Sequence, residues 1–400
     1  MCSIGTDRIN CLKELTFLLP SAIYIVLNDP FALGGVQRVV SVLARGFQDA
    51  GHQVSIVGVR SRAAEIGFDE AVDVSYVFPF PRLRLPLSLE TRIFKSGMKF
   101  ERLRIFSRRA FIQRFEKLVG DSPGHVIAMD VFAAELVAKI KMPAGFARVV
   151  QFHNSFDAID GTRDLDRLKR ISSKLDILLA LSDVDADGFR REVACETEYL
   201  PNPLPFPSTP VLGFRPNRVV CIGRLVPHKG NALVVEAWAS LRPELREEWK
   251  LILIGDGPEA SAIQRQVTVN GLEDSVTLAG PRQDIQGELR SARVLVLASN
   301  YEGLPMVLIE AMSQSVACIA TDSSAGVHQL LESGAGMLVA VGDKRQLANA
   351  LRDLLSNPTK ISAMARAGFL KTTKYELSTI IPQWESVLQR YQGAVQCEKE

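Results

Sequence analysis

Arg224 and Lys229 lie in the run GRLVPHKG, bounded by Gly223 and Gly230, directly after an apolar stretch. Two cations on a glycine-bounded loop after a strand suit a diphosphate, because charge-assisted donors and open backbone can both reach its oxygens. A solvated basic loop is the plainer alternative. Gly255-Asp256-Gly257-Pro258-Glu259 follows a second apolar stretch. Its glycines indicate either a backbone that approaches a ligand or a tight turn. The most informative stretch is SNYEGLPMVLIEAM, Ser299 to Met312. Glu302 falls in a loop after a strand, Gly303 and Pro305 shape a helix start, and Glu310 falls two turns into that helix. A helix N-terminus offers free N–H groups and a partial positive charge to an anion. Carboxylates beside such a place suit the hydroxyls of a sugar or a ribose. An ordinary helix with an exposed Glu is the competing reading.

These residues need a scaffold that delivers strand ends to one edge. Val219–Gly223, Leu251–Gly255, Val276–Gly280, Val294–Ala298, Cys318–Thr321 and Met337–Val341 read as strands. Helical patterns lie between them, which predicts a parallel, doubly wound sheet. Upstream, Ala22–Leu27, a Gly34-Gly35 turn, a helix closed by Gly51 and Gln53–Val59 form a βαβ unit. Arg148–His153 and Lys174–Leu181 read as further strands, and Ile361–Tyr391 reads as helical. Six prolines between Pro201 and Pro216 exclude a helix or a central strand and mark a boundary. The expected organisation is residues 1–205, residues 206–375 and a terminal helix in 376–400 that packs back on the first domain. The fold class is α/β, with two Rossmann-like domains facing each other across a cleft. Open α/β sheets bind ligands at the carboxyl ends of their strands.

In this order and spacing the elements resemble those of a family 4 (group 1) retaining glycosyltransferase with the GT-B fold. Gly223–Gly230 resembles that family's GR…KG loop, Gly255–Glu259 its GDGP element, and Glu302 with Glu310 its Glu-x7-Glu motif. The resemblance spans about residues 22–60 and 148–375, and it is weak between 61 and 147. It implies that Arg224 and Lys229 hold the donor diphosphate against Gly34, Gly35, Gly223 and Gly255. It implies that Glu310 binds the ribose and that Glu302, beside Gly303 and Leu304, contacts the transferred sugar. Gly280 and Arg282 are implied near the base, and His153 near the reacting sugar. The sequence departs from the family where Asn202 precedes Pro203 and where Gly326 precedes Val327, His328 and Gln329.

No metal is expected. Asp183, Asp185 and Asp187 imitate an Asp-x-Asp metal motif, but Ser182 reads as an N-cap, and acidic residues in a first turn complement the helix dipole. The six cysteines form no Cys-x-x-Cys pair, which suggests a reducing compartment. A net charge of +2 argues against a nucleic-acid binder. Leu15–Leu27 is apolar but shorter than the roughly 20 residues a bilayer span requires. Residues 82–117 carry eleven Lys or Arg against three Glu, interleaved with apolar residues such as Phe94, Phe106, Phe111 and Phe115. Such a stretch reads as a surface for anionic membrane, or else as a solvated helix over a normal core. The expectation is a cytoplasmic enzyme, peripheral on the inner membrane face. It would transfer a hexosyl unit from a UDP- or GDP-linked donor to a lipid-linked or surface glycan, with no cofactor. A sugar-nucleotide epimerase and a non-catalytic binding protein on the same fold are the alternatives.

Overall fold

A computed structural model describes residues 21–28, 35–58, 73–76, 111–119, 124–210 and 213–393. The first sheet has seven strands: β1 Ala22–Leu27, β2 Gln53–Gly58, β3 Asp73–Tyr76, β4 Gly124–Ala128, β5 Phe146–Phe152, β6 Ile177–Ala180 and β7 Glu196–Tyr199. Their order is β3-β2-β1-β4-β5-β6-β7, and every pairing is parallel. The second sheet has six: β8 Arg218–Ile222, β9 Lys250–Ile254, β10 Val276–Gly280, β11 Val294–Leu297, β12 Ala317–Thr321 and β13 Gly336–Val339. Their order, β10-β9-β8-β11-β12-β13, is again parallel throughout.

The two orders share one logic. In each sheet the chain starts in the middle, winds outward one way, then returns to the other side of the first strand. The reversal opens a crevice between β1 and β4 in one sheet and between β8 and β11 in the other. Ligands enter such crevices at the carboxyl ends of the strands. Helices cover both faces, so the central strands are apolar on both sides and β1, β6 and β11 read as short continuous apolar runs.

Two chain crossings join the domains side by side. The proline-rich segment carries the chain across once, and the segment after Leu370 carries it back. They are hydrogen bonded: Leu204 N–H donates to the Tyr375 carbonyl at 2.7 Å, and Ser208 N–H to Glu376 Oε1 at 2.9 Å. The returning helix, Leu377–Gly393, lies on the first sheet. Its Ile380, Ile381, Trp384, Val387 and Leu388 are buried in one cluster with β1, β2 and the helix Gly35–Asp49. The helical tail consists of two helices, Pro358–Leu370 and Leu377–Gly393, separated by a short 3-10 turn that makes the crossing.

Residues 111–119 form a helix over the first sheet. Phe111 and Phe115 are fully buried and stack at 5.7 Å, with Tyr24 edge-on to Phe115. At this end of the basic stretch, the aromatic residues therefore belong to the core and not to a membrane-facing surface. Residues 82–110 lie outside the described residues.

Candidate functional site

The loop after β8 and the loop after β11 flank the crevice of the second sheet, so the fold itself brings Lys229 to Glu302. Lys229 Nζ lies 2.5 Å from Glu302 Oε1, and Ser299 Oγ donates to the same oxygen at 2.5 Å. The backbone ties the two loops together, with Asn300 N–H donating to the His228 carbonyl at 2.7 Å. The His228 ring stacks on Tyr301 at 4.8 Å, nearly parallel. Burial, followed by the charges of Lys229 and Arg224, holds the His228 imidazole below its usual pKa, so it is neutral at pH 7. Arg224 is exposed on the same loop.

The glycines of these loops serve the loops themselves. Gly255 has φ +143°, and a Cβ built there would fall 1.9 Å from the Gly223 carbonyl oxygen. Gly230 has φ +64°, and its Cβ would fall 2.1 Å from the Ala298 carbonyl oxygen. Leu225 N–H donates to the Asp256 carbonyl at 2.9 Å, Glu259 N–H to the Leu225 carbonyl at 3.0 Å, and Gly255 N–H to the Gly280 carbonyl at 3.0 Å. The GDGP turn thus supports the cationic loop from behind. Gly35 opens its helix, and among the described residues no atom lies within 4 Å of where a Cβ would stand. Gly34 lies outside the described residues.

Glu310 is 3% exposed on the helix Met306–Ser313. Pro305 gives this helix no side-chain cap, and Leu308 N–H donates back to the Pro305 carbonyl at 3.0 Å. Burial raises the Glu310 carboxyl pKa, and the cation that opposes this comes from the other domain. Arg38 Nη1 donates to Glu310 Oε1 at 3.0 Å and to Oε2 at 3.2 Å. Sequence reasoning misses Arg38. It lies on the polar side of an amphipathic helix, 272 positions from its partner, and nothing local marks it.

The domains also meet at Gly303. A Cβ there would lie 2.9 Å from the His153 carbonyl oxygen and 3.3 Å from Ser155 N. His153 lies in the loop after β5, and its Nδ1 is 3.5 Å from Asn202 Nδ2. Its Nε2 is buried without a partner among the described residues, and burial pushes the imidazole pKa down to about 4. It is therefore a neutral group that could accept or donate a hydrogen bond toward a sugar hydroxyl. Leu304 packs its side chain into the core of the second domain, so only its backbone is available to a ligand.

Arg282 and the acidic triplet each have partners near them in the chain. Arg282 Nε lies 3.6 Å from Glu288 Oε1, and Glu288 Oε2 also takes Arg218 Nη2 at 2.9 Å. Arg282 thus belongs to a surface ion cluster separate from the Lys229–Glu302 pair. The acidic triplet is used locally: Asp185 accepts from Phe156 N–H at 2.7 Å and from Ser182 Oγ at 2.5 Å, and Asp187 pairs with Arg190. Among the described residues no group of His, Cys, Asp or Glu is arranged to hold a metal ion.

The arrangement offers cations, a helix N-terminus, a buried carboxylate and a neutral imidazole around one crevice. Residues 216–357 match the family model of glycosyl transferases group 1. The chain is 28% identical over 178 residues to the amylovoran biosynthesis glycosyltransferase AmsD of Erwinia amylovora, covering 44% of this chain and only half the length of AmsD. It is 23% identical over 371 residues to an uncharacterized glycosyltransferase of Haemophilus influenzae, covering 91% and 99% of the two chains. Among solved structures, HepE of Anabaena in complex with UDP and glucose matches with a TM-score of 0.73 at 18% identity, over 92% of this chain and all of HepE. That likeness is one of fold, the GT-B architecture of two facing Rossmann-like domains.

Proposed function

With residues 216–357 belonging to the group 1 glycosyl transferases, we propose that the protein moves a hexosyl unit from a UDP- or GDP-linked sugar to a hydroxyl of a lipid-linked or cell-surface glycan. The observation that carries this reading is the meeting of Lys229 and Glu302 at the crevice of the second sheet, with Glu310 buried one helix away. AmsD, by its name, is a glycosyltransferase of amylovoran biosynthesis, which supports the reaction class, and HepE is seen in complex with UDP and glucose, which supports the donor class. Among the described residues no helix is long and apolar enough to cross a membrane. Peripheral work at the inner membrane face is part of the proposal, with the basic stretch 82–117 as its candidate surface apart from the buried Phe111 and Phe115.

In this proposal Arg224, Lys229 and the N-terminal end of the helix Met306–Ser313 hold the diphosphate and stabilise the charge it gains as it leaves. Glu310 accepts the ribose hydroxyls. Glu302, fixed by Ser299 and Lys229, accepts from a hydroxyl of the sugar. The anomeric C–O bond breaks with its electron pair passing to the phosphate oxygen. The acceptor oxygen bonds to the anomeric carbon on the same face, and its proton goes to the leaving phosphate. The configuration is retained. Lys229 and Arg224 supply cationic charge at the diphosphate, so the proposal requires no metal.

The test is a panel of UDP- and GDP-sugars mixed with the purified protein and a membrane extract, with released nucleoside diphosphate recorded. The expected result is release from one donor that requires the extract and falls by about 100-fold or more in Lys229→Ala. Neither release nor nucleotide binding with any donor would sink the transferase reading and leave a binding protein on the same fold.

A further inference from the structure

Arg38 and Glu310 form an ion pair between the domains at the position assigned to the donor ribose. This inference rests on that assignment. A buried carboxylate needs compensation, either from a cation or from hydrogen-bond donors. Arg38 supplies it in this structure. The geometry is specific: one guanidinium nitrogen spans both carboxylate oxygens, at 3.0 and 3.2 Å. A vicinal diol chelates a carboxylate from the same side, with one hydroxyl to each oxygen. The diol and Arg38 Nη1 therefore compete for one place. The Arg38 side chain is 40% exposed and the Glu310 side chain 4%, so the cation has a path to solvent while the carboxylate stays where it is.

The surroundings favour an exchange of partners over a permanent bridge. Glu310 lies on the helix that follows Gly303, where a Cβ would meet the His153 carbonyl of the other domain at 2.9 Å. Met306, at the start of the Glu310 helix, packs against the cores of both domains. The domains are thus held together at the edge of the crevice through which a nucleotide must pass.

We propose that Arg38 is an internal latch: it occupies the ribose place of the free protein, ties the two domains across the crevice, and is displaced by the cis-diol of the incoming nucleotide. The apparent affinity for nucleotide then carries the fraction of molecules in which the latch is open. Removal of the latch strengthens binding, where removal of a residue that supports the nucleotide would weaken it.

The experiment measures the Kd of UDP, GDP and 2′,3′-dideoxy-UDP by calorimetry for the wild-type protein, Arg38→Ala and Arg38→Lys. Thermal unfolding shows whether each variant folds, and the Lys variant retains a cation should the Ala variant not fold. The latch predicts that the better of UDP and GDP binds about fivefold more tightly to Arg38→Ala, the scale of a partly exposed ion pair that must open first. Arg38→Lys falls between, because a point charge cannot span both oxygens in the same way. Dideoxy-UDP gains nothing from either substitution. Equal or weaker diol-nucleotide binding by both variants, with wild-type binding intact, overturns the latch and leaves the donor reading in place. No nucleotide binding by wild type or variants removes the donor reading and the latch together.

Discussion

At the scale of single residues, the glycine that opens GDGP is explained by the packing of two loops against each other. GDGP reads as a backbone that approaches a ligand or turns tightly. In the fold, Gly255 faces the carbonyl of Gly223, 1.9 Å from where a Cβ would stand, and its φ of +143° is strained for any side chain. Gly255→Ala is expected to lose about 3 kcal/mol or more of stability, from the clash and the backbone strain together. Urea unfolding measures this, and a loss below about 1 kcal/mol would show that the two loops can separate freely. The cations and carboxylates are legible in the sequence because each follows an apolar run that ends at a sheet edge. Arg38 is not legible, since its meaning comes only from Glu310 on the other domain. Arg282 is placed near the base only by the family resemblance, and its ion pair with Glu288 is not legible in the sequence.

At the scale of elements, the six strands of the second sheet are legible because each is a compact apolar run flanked by glycine or polar turns. In the first sheet β3, β4 and β7 are not. β7 is the polar run ETEY at a sheet edge, and β4, GHVIA, carries a histidine at a central position. His125 is fully buried between β1 and β5, and neither ring nitrogen has a partner among the described residues. Burial, with the nearby His52 as a second cause, pushes its pKa down to about 4 from the ordinary 6.5. Between these values the unfolded chain binds the proton and the folded chain does not. Stability is therefore full above pH 6.5 and falls as the pH drops toward 4, by up to about 3 kcal/mol from this group. His125→Leu should flatten the pH dependence of the unfolding midpoint over that window. A variant with the wild-type slope would assign the acid loss to other groups.

At the scale of the whole molecule, the two domains are not independent along the chain. The first sheet is completed by a helix that follows the second domain. Trp384 is fully buried on it, edge-on to Phe47 at 5.8 Å. Trp384→Ala should cost about 3–5 kcal/mol, the usual loss on removing a buried aromatic. The loss should appear in hydrogen exchange as faster exchange in β1 and β2, with the strands of the second sheet little changed. Equal loss in both sheets would mean that the helix supports the molecule as one cooperative unit. The returning crossing is only partly legible: a helical tail can be read, but Thr373–Tyr375, where it breaks, carries neither glycine nor proline. The arrangement also sets an order in time. A ribosome finishes β7 at Tyr199 and must add 185 more residues (384 − 199) before Trp384 is made. At about 5–20 residues per second this is roughly 10–40 s. Throughout that interval the nascent first domain shows the apolar surface that the last helix will cover, and a chaperone has that long to find it.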